Sequence, residues 1–317
     1  MKINLFKGLS LLTNVSYFFR GCIDLDDYLD PELFEDCTAL VNTSYMFAYC
    51  VSLGENYNDK NTLSAGLFAN NLSLGNVSYM FDHCINLSGT ISDIFDNGED
   101  KPYSSLYRID GMFQYANTDT VDGYAFSNEL FTNLTNLLSA TFAFGGFNKT
   151  GGRAKTNVTY KLYEQSLFIP SSTLSNVRGI FGNSNLVGTI DNNLFRYSLS
   201  SLENINEAFH TTNITGVGEN FLKPTTTPAN YKLSNVTNAF KNTTHLTTNI
   251  PACNNKDIFT NIKNDVSTYR GYANNTSATN SSSFTGMWQD GGAPVTISSP
   301  GSYTKKTTLD TYTNQNA

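Results

Sequence analysis

The chain has 317 residues, 39% hydrophobic and 13% aromatic, with only 15% charged and a formal net charge of −7. That is enough apolar material for a large core, while an acidic balance without a basic stripe excludes phosphate-backbone recognition, so nucleic acid is not expected as a partner. No apolar run reaches the length that crosses a bilayer, so no membrane insertion is expected; "MKINLFKGLSLLTNVSYFF", broken by Asn4, Lys7 and Asn14 and without a small-residue cleavage site, reads as repeat sequence rather than a signal peptide.

The first element recurs at once. "LLTNVSYFFRGC" (Leu11 to Cys22) returns as "LVNTSYMFAYC" (Leu40 to Cys50) and "LGNVSYMFDHC" (Leu74 to Cys84). Taking its Phe as an anchor, the pattern continues with Phe19, Phe47, Phe81, Phe113, Phe142, Phe181, Phe209 and Phe240, with Trp288 as a ninth place. An apolar-Phe pair precedes the anchor by 13 positions at Leu5-Phe6, Leu33-Phe34, Leu67-Phe68 and Leu167-Phe168. Ile94-Phe95, Leu130-Phe131, Leu194-Phe195 and Ile258-Phe259 are looser versions.

Around each anchor, apolar or small residues recur four and one positions before it and three after it, as in Val77, Met80, Phe81 and Cys84. Two positions before it, Glu207 and Asn238 break any period of two. The spacing therefore predicts a short helical turn laid on a core, with Asn or Ser/Thr near its start as a cap. The next segment alternates: "LSGTI" (Leu87 to Ile91), "LVGTI" (Leu186 to Ile190) and "LTTNIP" (Leu246 to Pro251) predict short half-buried strands. One such unit cannot bury its own apolar face, whereas stacked copies can. The expected fold is an α/β repeat solenoid of roughly eight or nine uneven repeats, one short strand and one short helical turn per repeat.

The iterated "NVSYMFxxCxxL" followed by a strand resembles the BspA-like leucine-rich repeats of bacterial surface proteins and of Mycoplasma-type surface lipoproteins. The "LxGxIP" strand also resembles the plant-type leucine-rich repeat, although its Pro is present once, at Pro251. The resemblance covers residues 1–260 and departs from that pattern in uneven repeat length and in losing Cys after the third copy. It implies a leucine-rich-repeat-like solenoid used for adhesion or partner binding, and no catalytic residues.

Insertions fall at Gly145 to Lys161, Asp96 to Ser105 and Lys223 to Lys232; the first carries Lys149, Arg153, Lys155 and Lys161 in an acidic protein and is a candidate binding loop. Residues 261–317 read as a degenerate final repeat, "FTGMWQD", and a polar Thr-rich tail. Five Cys form no C-x-x-C pair. With helical turns of adjacent copies about 8–10 Å apart, Cys22, Cys50 and Cys84 lie beyond disulfide reach and are expected as buried thiols. His83, His210 and His245 lack metal-ligand spacing, and the acidic stretches Asp24 to Asp30 and Asp96 to Asp100 match no calcium loop, so neither metal nor cofactor is expected. No nucleophile, Walker or dinucleotide motif appears. The many N-x-S/T triplets, Asn14, Asn76 and Asn235 among them, are attributed to the repeat itself rather than to glycosylation.

The polar positions of the strands, Ser88, Thr90, Thr189, Thr247 and Asn249, are expected to face outward as a neutral, hydrogen-bonding surface. The expected function is a non-enzymatic adhesion or recognition module on a cell or virion surface, binding a protein or glycan of a host or neighbouring cell. The alternatives are a structural subunit (phage tail, capsid-associated or surface layer) whose partners are its own assembly, and thirdly a glycan-active enzyme.

Overall fold

In a computed structural model, residues 5–55, 62–98, 102–120, 122–127, 130–131, 133–149, 159–162, 167–168 and 171–218 are described, with 221, 232–233, 235, 238–240 and 243 beyond them. Isolated parallel bridges link Asn14 to Asn42, then to Asn76, Arg108, Ser139, Asn176, Asn204 and Asn235 in succession. Each begins a nine-residue segment (14–22, 42–50, 76–84, 108–116, 139–147, 176–184, 204–212 and 235–243), called a rung below. Successive rungs start between 28 residues (Asn14 to Asn42) and 37 residues (Ser139 to Asn176) apart.

The helical turn expected at each anchor does not form. There is no helix among the described residues; each fully described rung, from 14–22 to 204–212, is a run of tandem turns. In rung 2, Met46, Ala48 and Cys50 each donate an N–H to the carbonyl three residues back, on Thr43, Tyr45 and Phe47 (3.0–3.2 Å). The alternate amides leave the rung: Thr43, Tyr45, Phe47 and Tyr49 donate to the carbonyls of Asn76, Ser78, Met80 and Asp82 in rung 3 (2.7–3.0 Å). The amide of Ser44 is taken by Oδ1 of Asn42, two residues earlier (3.0 Å). Every N–H from Thr43 to Cys50 thus has an acceptor, which a buried backbone requires.

Left-handed backbone makes this possible. Two places before the anchor, φ is positive at Tyr17, Tyr45, Tyr79, Gly111, Phe142, Gly179, Glu207 and Asn238; two places after it, at Gly21, Tyr49, His83, Tyr115, Gly146, Asn183 and Thr211. A three-back hydrogen bond around a positive φ is the type II turn pattern, and it turns the chain so that the same side chains point inward as on a helix. Val77, Met80, Phe81 and Cys84 are all 0% exposed.

The ladder also corrects one anchor. Ser139 pairs with Arg108 and Asn176, so Phe144, not Phe142, holds the anchor place in rung 5. Phe142 (φ 53°) sits on the outside, its ring lying over Gly179. A Cβ added there would be 2.1 Å from Cε1 of Phe142, and Gly179 is itself left-handed (φ 58°), so only glycine fits beneath that ring.

Anchors stack face to face from Phe19 through Phe47, Phe81, Phe113, Phe144, Phe181 and Phe209 to Phe240, with centroids 5.3–5.8 Å apart. The apolar-Phe pairs supply a second column, Phe6, Phe34, Phe68, Phe95, Phe131, Phe168, Phe195, continued by Phe221. Both columns belong to one buried core. Inside the Asp96 to Ser105 insertion, Tyr103 is fully buried and donates its hydroxyl to the Phe68 carbonyl at 2.6 Å.

On the other side of the chain, strand β1 (Val187–Ile190) pairs in parallel with strand β2 (Asn213–Val217), with a register shift between Gly188 and Thr189. β1 is the expected "LVGTI" strand. The "LSGTI" segment forms no strand and contributes only the bridge from Ile91 to Phe126. The "LTTNIP" segment, Trp288 and residues 261–317 lie outside the described residues.

Hydrogen-bonded backbones sit about 4.8 Å apart, not the 8–10 Å of packed helices, so Cys22 and Cys50 are register neighbours within disulfide Cα range. The thiols of Cys22, Cys37, Cys50 and Cys84 are nevertheless free. Sγ of Cys50 and of Cys84 instead donate to the carbonyls of Phe19 and Phe47 in the preceding rung (3.0 and 3.1 Å). Burial pushes the Cys50 thiol up to about 12, which at pH 8 cuts its thiolate fraction by roughly a thousandfold relative to an ordinary thiol. Alkylation of the folded protein followed by peptide mapping should therefore mark the exposed Cys22 and leave Cys50 and Cys84 unmarked until denaturant is added; equal labelling of Cys22 and Cys50 would contradict this packing.

Candidate functional site

A groove of about 530 Å³ opens on the strand side, lined on one wall by Thr90, Ser92, Asp93 and Asp96 and on the other by Asp122 and Tyr124. The two walls come from successive copies, pinned by Ile91 N–H to the Ala125 carbonyl (2.9 Å) and Ser127 N–H to the Ile91 carbonyl (2.8 Å). Thr90, Ser92 and Tyr124 are partly exposed, Asp96 and Asp122 exposed, and Asp93 8% exposed.

Two of the three carboxylates have local structural partners. Oδ1 of Asp93 accepts the Phe95 amide (3.0 Å) and Oδ1 of Asp96 accepts the Gly98 amide (2.8 Å), each an Asx turn that fixes the loop. Asp122 is held in left-handed backbone (φ 53°). Beside it, the Lys161 amide donates to the Gly123 carbonyl (2.8 Å), and the lysine stem lies 3.5 Å from where a Gly123 Cβ would stand. No group of three His, Cys, Asp or Glu among the described residues is arranged to hold a metal ion. Chemically, the groove offers hydroxyls, carboxylate acceptors, the Tyr124 ring and an apolar floor that includes Ile91 and the buried Phe126.

Of the residues expected to face outward, Thr90 lies in this groove and Thr189 is exposed on β1. Ser88 does not face outward: it is 4% exposed, its hydroxyl is 3.0 Å from the Thr62 hydroxyl, and its amide donates to that same oxygen (2.8 Å). Lys149 is partly buried, away from the groove lining, with its amide closing a turn on Gly146 (3.1 Å). Arg153, Lys155, Thr247 and Asn249 lie outside the described residues. Asp122 and Tyr124 were not legible as site residues, because no single copy's alternation names its neighbour's contribution to a shared groove.

The repeated Asn has a structural explanation that does not require the Ser or Thr of the triplet, since Arg178 and Asn206 stand in that place after Asn176 and Asn204. Oδ1 of Asn14, Asn42, Asn76, Asn176 and Asn204 accepts the amide two residues on at 2.9–3.1 Å, closing the first turn of the rung. A second outward feature is the aromatic file Tyr17, Tyr45 and Tyr79, with centroids 4.9 and 4.7 Å apart, beside Tyr49 and His83 at 4.4 Å. Tyr45, stacked on both faces, offers its edge rather than a platform, whereas Tyr17 has a stacked tyrosine on one face alone and is 54% exposed. Nδ1 of His83 meets Oδ1 of Asp82 at 2.7 Å, and burial raises the Asp82 carboxyl above its usual range, opposed by His83.

Compared with known proteins, the chain matches no family model, no curated protein and no solved structure. No helix among the described residues is long and apolar enough to cross a membrane.

Proposed function

We propose that the chain is a non-enzymatic recognition module, a leucine-rich-repeat-like solenoid that binds a polyhydroxylated ligand, a surface glycan, in the groove between Thr90 and Tyr124. The observation that carries this is the groove's lining: hydroxyls and carboxylate oxygens that accept paired sugar hydroxyls, with one tyrosine ring beside them. Its carboxylates and the net charge of −7 disfavour a phosphate backbone. The resemblance of the iterated "NVSYMF" unit to BspA-like surface repeats agrees with a place at a cell or virion surface.

Asp93 and Asp96 already hold backbone amides, which favours binding over acid–base chemistry. A glycan array probed with the full chain should give hits whose binding falls at least tenfold, about 1.4 kcal/mol, in Tyr124→Ala and in Asp122→Ala. Binding should change little between low and high salt, because a neutral ligand brings no charge to be screened. Array hits that both variants retain would remove the groove from the function, and release of free sugar from a hit would replace the binder with an enzyme.

A further inference from the structure

A second crevice, of about 220 Å³, opens between the apolar-Phe segments of two successive copies, Leu33-Phe34 and Leu67-Phe68. Glu32 and Glu35 line it from the first copy, and Ala65, Leu67, Ala69 and Asn71 from the second. Asn70 Nδ2 donates to the Glu35 carbonyl (3.4 Å) and ties the two walls together. Glu32, Glu35 and Ala65 are exposed, whereas Leu67 and Asn71 are buried.

Asn71 sets this crevice apart. Three places after the Phe of the second column, Cys37, Ser171 and Ser198 each donate a thiol or hydroxyl to a carbonyl of the preceding copy, on Phe6, Leu134 and Ser171. At the same place Asn71 donates its amide nitrogen to the carbonyls of Phe34 (3.0 Å) and Cys37 (2.8 Å). It also brings an atom those residues lack: Oδ1, on the other branch of the amide, is buried and accepts from no described residue. A buried carbonyl oxygen is costly without a donor. The surrounding groups define the donor that fits. The Glu32 and Glu35 carboxylates are paired with no cation among the described residues, while Ala65, Leu67 and Ala69 are apolar. Calcium takes about six to eight oxygens, and a guanidinium is matched by paired, coplanar acceptors. One inner oxygen with two carboxylates suits a compact ammonium instead.

We propose that this crevice is a binding site for a primary ammonium on an alkyl stem, the chemistry shared by a lysine side chain of a partner protein and a free diamine. The stem lies along Ala65, Leu67 and Ala69. The ammonium donates to Asn71 Oδ1, and the carboxylates of Glu32 and Glu35 balance its charge. The crevice shares only Ala65 with the groove lining and does not depend on what the groove binds.

Titration of the full chain with Nα-acetyl-lysine methylamide and with putrescine, followed by proton–nitrogen correlation spectra, tests this. The Asn71 side-chain amide and the Gly66 and Ala69 backbone amides should shift saturably, with a dissociation constant on the order of 1–10 mM. Tighter binding of the lysine derivative assigns the site to a partner's lysine, and tighter binding of putrescine to a free diamine. Nα-acetyl-norleucine methylamide, which keeps the stem and lacks the ammonium, should shift none of them. Glu32→Gln combined with Glu35→Gln, both at exposed positions, should weaken binding at least tenfold with an unchanged melting temperature. Asn71→Ser keeps the donor found at Ser171 and Ser198 and removes the free oxygen, so it should abolish binding. Affinity should fall as salt rises, because the carboxylates at the mouth are screened. Tyr124→Ala should bind both amines as the wild type does, which separates this site from the glycan reading. No saturable shift with either amine, equal shifts with the norleucine derivative, or binding retained in both the double glutamine variant and Asn71→Ser would each overturn the proposal.

Discussion

Phe81→Ala should destabilise the protein by about 3–5 kcal/mol, the range for removing a buried phenyl group from a packed core. The ring is 0% exposed and lies between Phe47 (centroids 5.7 Å apart, planes 1° from parallel) and Phe113 (5.5 Å, 9°). Removing it leaves a void with a stacked ring on each side. The rungs cannot close over it, because Phe81 N–H to the Met112 carbonyl (2.9 Å) and Phe47 N–H to the Met80 carbonyl (3.0 Å) fix the spacing. The transfer and cavity contributions therefore both appear in full. Phe19→Ala is the internal control. That ring is only partly buried and has a stacked anchor on one side alone, Phe47 at 5.4 Å, so its loss should cost about half as much, in proportion to area removed from water. Urea unfolding of both variants measures the difference. Equal losses at Phe19 and Phe81 would mean that the column is not the unit of packing.

Which residues are buried was legible in the sequence, and their backbone conformation was not. Val77, Met80, Phe81 and Cys84 face the core whether the segment is a helical turn or a pair of tandem type II turns, because both return the chain to the same side after three or four residues. The discriminating signal lay two places either side of the anchor. Gly111, Gly179 and Asn238 stand before it, and Gly21, Gly146 and Asn183 after it, all residues that tolerate a positive φ. At the same places Tyr45, Tyr79, Tyr49 and His83 hide the pattern. Left-handed backbone costs them on the order of 1 kcal/mol each, offset by ring stacking at 4.4–4.7 Å and by the inter-rung hydrogen bonds. Side-chain chemistry alone gives no reason to expect tyrosine there. The spacing error at the cysteines follows from the same source, since packed helices and hydrogen-bonded turns differ nearly twofold in separation. Thr90 could be singled out by alternation within one copy. Ser88 could not be placed that way, because the hydroxyl that takes its amide belongs to Thr62 in the preceding copy.

Asp110→Ala should cost about 2–4 kcal/mol, the penalty for stranding several buried hydrogen-bonding groups around a lost carboxylate. Asp110 is 4% exposed and serves two rungs at once. Oδ2 accepts Arg108 Nε (2.8 Å) and Nη2 (2.7 Å) on its own rung. Oδ1 accepts the Ser139 hydroxyl (2.5 Å) and the Thr141 amide (2.8 Å) on the next. The sequence supplies the reason. Rung 5 begins with Ser139 where six of the eight rungs begin with Asn, and a serine there does not take the amide two residues on, as Asn76 takes that of Ser78 at 2.9 Å. Asp110 reaches across from rung 4 and caps Thr141 instead. Arg108, at the corresponding first place of rung 4, balances the buried charge while keeping its own side chain 54% exposed. The arrangement predicts a specific rescue. Ser139→Asn restores the ordinary cap within rung 5, so in the Asp110→Ala background it should recover about 1 kcal/mol, the usual value of such a cap. In the wild-type background it should gain nothing, because the Thr141 amide is already satisfied. Urea unfolding of the two single variants and the double variant measures the coupling. Additive effects, with no recovery in the double variant, would show that Asp110 acts through Arg108 alone and that the cap crossing from rung 4 to rung 5 contributes nothing to stability.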